Sequence, residues 1–91
     1  MSAIQSITRY DDCDIYIRTN AVEHYGYPAD TTFGEMVNLA IANKCTAITK
    51  NGGGKWYLKG QGKEYAETRS KAEEAEGETP RKKVWVIKFD E

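Results

Sequence analysis

The sequence predicts a single α+β domain built on one mainly antiparallel sheet. Three observations point there. Five short segments rich in Ile, Val, Tyr and Trp are separated by turn residues, which is strand patterning. One longer segment repeats its apolar positions at helical spacing instead. The chain has 91 residues, the length of one domain, 1–91, with a small core. The expected order is ββαββ(α)β.

The first two strands are "AIQSITRY" and "CDIYIRT", separated by an Asp-Asp turn signal. In the second, Cys13, Ile15 and Ile17 point one way, while Asp14, Tyr16 and Arg18 point the other, so it reads as half-buried. "NAVEHYGYPAD" is a loop punctuated by Gly26 and Pro28. "TTFGEMVNLAIANK" is the clearest helix, over about residues 32–43. Thr32 and Glu35 have the capping-box spacing. Phe33, Met36, Val37, Ala40 and Ile41 fall on one face, and Leu39 and Ala42 widen it. Asn43 is the expected stop.

"CTAIT" and "KWYLK" form a hairpin around "NGGG". An even-length loop pairs Lys50 with Lys55, Thr49 with Trp56, Ile48 with Tyr57 and Ala47 with Leu58. Trp56 and Leu58 then face the core with Ala47. Lys50, Lys55, Ile48, Tyr57, Thr46 and Lys59 share the other face. Residues 63–76 read as a polar surface helix or excursion, with Tyr65, Ala66, Ala72 and Ala75 as a thin apolar face and Glu67–Lys71 as an ion pair. It ends near Gly77 and Pro80. In "KKVWVIKF", Val84 and Val86 occupy one face and Trp85, Ile87 and Phe89 the other, which suits an inner strand or an oligomer contact.

Composition excludes several chemistries. The single histidine, His24, has no serine or cysteine at a motif spacing, so no triad or Cys-His nucleophile is expected. The Asp residues of "DDCD" read as a turn, and no metal ligand set has recognisable spacing. A phosphate-binding Walker loop is absent, because Gly54-Lys55 is followed by Trp56. The N-terminus lacks a basic start and an apolar core, and the longest strictly apolar runs are four residues. No leader, membrane span or cofactor is therefore expected, and the default location is cytoplasmic with reduced Cys13 and Cys45.

The formal net charge of −1 hides a blocky distribution. Residues 1–49 sum to −3, 50–63 to +4, 64–79 to −4 and 80–91 to +2. The span 46–63 holds five of the eight glycines and four lysines, with no acid. Hairpin corners and strand solubility account for part of this. Asn-Gly alone satisfies a two-residue turn, however, and each further glycine costs about 0.5–1 kcal/mol relative to alanine. Consecutive glycine N–H groups can form a concave anion nest. The candidate site is therefore Lys50, Asn51, Gly52, Gly53, Gly54, Lys55, Tyr57 and Lys59, with Tyr57 offering a ring for a base or ribose.

The span "TTFGEMVNLAIANKCTAITKNGGGKWYL" resembles the helix–hairpin opening of the phage-encoded anti-Thoeris proteins of the second type, a domain shared by some anti-CRISPR proteins. Phe33-Gly34-Glu35 matches the family's F-G-E at the helix start. Asn51-Gly52, Lys55 and Trp56 correspond to its W-N-G-K-G-aromatic element, with Lys50 in the tryptophan position and two more glycines before Lys55. The resemblance covers 28 of 91 residues. It implies a non-enzymatic oligomer that sequesters a signalling nucleotide.

Together these readings predict a small binding or inhibitory protein without catalytic residues, of the phage counter-defence type. Its expected partner is a host protein or protein complex. Two alternatives stand beside it: a sponge for a nucleotide-like anion held by the glycine-rich hairpin, and an accessory protein that binds nucleic acid.

Overall fold

Strand β1 (Ala3–Asp11), helix α1 (Phe33–Asn43), strands β2 (Ala47–Lys50) and β3 (Trp56–Lys59), helix α2 (Tyr65–Glu74) and strand β4 (Lys83–Asp90) follow one another in a computed structural model that describes residues 3–11, 26–74 and 82–90. The strands form one sheet in the order β1-β4-β2-β3, and every neighbouring pair is antiparallel. This is the α+β architecture that the patterning predicts. The strand expected over 13–19, the residues Cys13 and His24, and the Gly77–Pro80 end of the second helical segment lie outside the described residues.

Helix α1 begins where its capping chemistry dictates. The Thr32 hydroxyl accepts from the Glu35 N–H at 3.1 Å, and the Glu35 carboxylate accepts from the Thr32 N–H at 2.9 Å. The Thr32 N–H, and after it the Thr32 hydroxyl, which donates to the same carboxylate at 3.1 Å, hold the Glu35 carboxyl below its ordinary pKa. The helix ends at Asn43, whose side chain donates back to the Leu39 carbonyl at 2.8 Å. The left-handed residue that terminates it is Lys44, with φ of +54°.

Both faces of the sheet are covered. On the α1 side, Met36 and Ala40 pack with Ile48, Trp56, Leu58 and Ile87. Phe33, Trp56 and Trp85 add a tilted aromatic cluster with centroids 5.1–6.2 Å apart. In β1 the register shifts between Ile4 and Ser6, a bulge. The extra residue brings Ile4 and Ile7, three apart, to the same core, which a regular strand would not allow.

On the opposite side, Ala72 of α2 packs on Ala47, Val84 and Val86, with Tyr10 and Tyr65 at the margin. Small side chains let α2 come close. A buried hydroxyl pair then ties it down: Thr46 Oγ1 and Thr68 Oγ1 are 2.6 Å apart, and Thr46 also donates to the Gly60 carbonyl at 3.2 Å. Gly60 has φ of +78°, and a Cβ there would collide with Thr46 Oγ1. The inward stripe of α2 is therefore Tyr65, Thr68 and Ala72, at helical spacing, and Ala66 is exposed. Glu67 lies 4.0 Å from Lys63, so the observed ion pair runs N-terminally and not to Lys71.

Strand β4 is an inner strand, as its two apolar faces predict, with Ile87, Trp85 and Phe89 toward α1 and Val84 and Val86 toward α2.

The hairpin register differs from expectation by one residue. Lys50 pairs with Trp56, Thr49 with Tyr57, Ile48 with Leu58 and Ala47 with Lys59. The loop is odd in length, so Ile48 rather than Ala47 joins Trp56 and Leu58. Ala47 faces α2. Because both faces of β2 are buried, its composition carried no parity signal.

Candidate functional site

The glycine-rich loop is closed by its own asparagine. Asn51 N–H donates to the Lys55 carbonyl, and Gly54 N–H donates to the Asn51 carbonyl, both at 3.0 Å. The Asn51 side-chain oxygen accepts from Gly53 N–H and from Lys55 N–H, again at 3.0 Å each. This is a three-residue hairpin loop in which the last residue takes the left-handed position. Gly54 occupies it, with φ of +92°. A Cβ on Gly54 would also press against Ala29 at 3.2 Å, so the 26–30 loop packs beside the tip. Gly52 and Gly53 lack positive φ, so backbone conformation does not require glycine at either position.

These bonds bear on the anion nest. Of the four amides from Gly52 to Lys55, three donate to Asn51. An anion at the tip must compete with the Asn51 side chain for two of them. The loop is thus a fixed projection with three of its four amides bonded internally, and not an open cradle.

The register separates the other candidates. Lys50 lies on the α1 face, half-buried, with its ammonium 4.6 Å from the centroid of the Trp56 ring. Tyr57 and Lys59 lie on the α2 face. The grouping of Lys50, Ile48, Tyr57 and Lys59 on one face is therefore corrected: the odd loop sends Lys50 and Ile48 one way and Tyr57 and Lys59 the other. Tyr57 is half-buried, not a free platform. Its ring packs on Gly26, where a Cβ would sit 2.8 Å from it, and its hydroxyl lies 3.5 Å from Asn51 Nδ2. Lys55 is exposed at the tip, and Lys55 and Lys59 each have interaction partners in the chain. The structure brings Asn51, Gly53, Lys55 and Tyr57 together through hydrogen bonds and holds Lys50 apart from them.

Two juxtapositions escaped sequence reasoning. Lys83 lies directly opposite Lys50 across β2 and β4, a like-charge pair that only the strand order creates. Gly26 and Tyr27 flank the hairpin: Tyr27 and Trp56 exchange backbone hydrogen bonds of 2.7 and 3.1 Å, covering part of the β3 edge. The signal was Gly26 between two tyrosines, which reads as a turn until φ of +84° and the Tyr57 contact are seen.

The Cys45 thiol is buried, and burial pushes its pKa up to about 11, which keeps it protonated. Among the described residues, no group of three His, Cys, Asp or Glu side chains could hold a metal ion. No described helix is long and apolar enough to cross a membrane. In comparisons with known proteins, the chain matches no family model, no curated protein and no solved structure.

Proposed function

We propose that this chain works by binding, without catalysis, and that the β2–β3 hairpin engages an acidic surface of a protein partner. The observation that carries this reading is the closed tip. Asn51 occupies the amides of Gly53 and Lys55, so the loop presents a preformed shape and loses little freedom on docking. Lys50, Lys55 and Lys59 supply positive charge around it, with Lys83 opposite Lys50. A host protein or complex, in the counter-defence setting that the 31–58 resemblance implies, is the partner we favour.

The nucleotide-sponge and nucleic-acid readings draw less support. The first needs amides that Asn51 already uses, and the second needs a ring that packs on Gly26.

The test compares affinity capture from source-cell lysate by the natural chain and by a variant carrying Lys50→Glu, Lys55→Glu and Lys59→Glu, both checked for folding by circular dichroism. A partner retained by the first and lost by the second supports the proposal. Identical capture by both overturns it. Native mass spectrometry of the same samples adds a second arm: a small anion carried by the natural chain and lost in the variant would move the function to the sponge.

A further inference from the structure

We propose that Asn51 is a site of spontaneous deamidation, a chemical conversion written into the hairpin tip that makes it one unit more negative. The inference does not depend on what the hairpin binds. The reaction needs an approachable backbone nitrogen after the asparagine, a polarised side-chain carbonyl and a departing amide. All three are present at this turn.

Gly52 follows Asn51 and carries no Cβ to hinder approach to its nitrogen. The three amides after it are committed to Asn51 acceptors, while Gly52 N–H has no acceptor among the described residues. The Asn51 carbonyl is polarised by two donors. Gly53 N–H and Lys55 N–H both point at Oδ1 from 3.0 Å, the atom on which negative charge develops when a nucleophile adds to Cγ. Two donors on that oxygen withdraw electron density from Cγ and make it more electrophilic. The departing nitrogen, Nδ2, has a single weak contact, Tyr57 Oη at 3.5 Å.

The step balances without a cofactor. Gly52 N forms a bond to Asn51 Cγ, the Cγ–Nδ2 bond breaks, and the nitrogen leaves as ammonia with the proton given up by Gly52. Water then opens the five-membered succinimide at either carbonyl, leaving aspartate or isoaspartate at position 51. Water is consumed and ammonia released.

The aspartate product preserves the turn, because its carboxylate accepts the same two N–H groups as charge-assisted bonds. It sets a negative charge between Lys50 and Lys55 and takes the formal net charge one unit below −1. The isoaspartate product lengthens the main chain and disturbs the Asn51–Lys55 closure. The other asparagines are poorer candidates. Asn20, Asn38 and Asn43 precede Ala21, Leu39 and Lys44, which all carry a Cβ, and Asn43 Nδ2 is bonded to the Leu39 carbonyl.

The experiment incubates the folded protein at mildly alkaline pH beside a synthetic peptide of residues 46–60. Conversion is followed by peptide mass spectrometry, ammonia release and anion-exchange elution. The expected result is conversion of Asn51 in the folded chain at least as fast as in the peptide, with the other three asparagines intact. Gly52→Ala, at a position without positive φ, should keep the fold and lose the conversion. Asn51 remaining intact in the folded chain while the peptide converts would overturn the inference. So would undiminished conversion in Gly52→Ala.

Discussion

The two faces of the sheet are held by different means. Toward α1 the contact is broad and apolar: Met36, Ile48, Leu58 and Ile87 are fully buried, and an aromatic cluster fills the rest. Burying each such side chain contributes about 1.5–3 kcal/mol. Toward α2 the contact is narrow. Ala47, Ala72, Val84 and Val86 are small, and the helix is located by the Thr46–Thr68 hydroxyl pair and the Gly60 turn. One face tolerates imprecise geometry because area is non-directional. The other depends on a few atoms in fixed places.

That contrast can be broken at its strongest point first. Leu58→Ala removes a fully buried side chain from the α1 face and should cost about 3–4 kcal/mol in urea unfolding. On the α2 face, Gly60→Ala combines a left-handed φ with a collision against Thr46 Oγ1. It should cost about 3 kcal/mol despite adding a single methyl. If Gly60→Ala proves as mild as a surface substitution, the α2 anchor is not where we place it.

Thr68→Val sharpens the comparison, because it keeps the shape and deletes the hydroxyl. Thr46 retains its bond to the Gly60 carbonyl, so the loss should be about 1–2 kcal/mol. Hydrogen exchange should show it mainly in α2. An equal increase across α1 would mean that the two faces unfold as one unit.

The smallest effect concerns the α1 cap. Thr32→Ala should cost about 1 kcal/mol. The Glu35 carboxyl is held below its ordinary pKa by the Thr32 bonds, so its contribution is present above the ordinary glutamate value of about 4.3. That contribution is lost as the pH falls from there through the lowered folded value. The acid limb of the stability–pH curve should therefore flatten in part in Thr32→Ala, which deletes the hydroxyl donor and keeps the backbone N–H, and an unchanged limb would remove the hydroxyl bond from the account.

Much of this was legible in the residues. Helix α1 showed its apolar spacing and its capping pair, and β4 showed two apolar faces that suit an inner strand or an oligomer contact, of which the strand order gives the first. The hairpin was legible as an element but not in its parity. Its loop length depended on Asn51 bonding to Gly53 and Lys55, which no composition rule reports. The assumed even loop placed Lys50, Tyr57 and Lys59 together, whereas the folded chain divides them between faces. The Thr46–Thr68 pair was not legible, because a threonine's polarity says nothing about a partner 22 positions away.

The sequence by itself determined the local decisions: where α1 starts and stops, that a hairpin turns around Asn51–Gly54, and that charge is concentrated there. Those follow from spacing, capping and backbone preference, which act over a few residues. Only the tertiary structure decided which face each hairpin residue occupies, that Lys50 meets Lys83, and that α2 docks through hydroxyls. These depend on strand order and register. Both are set by the simultaneous packing of segments far apart in the chain, and no local pattern encodes that competition.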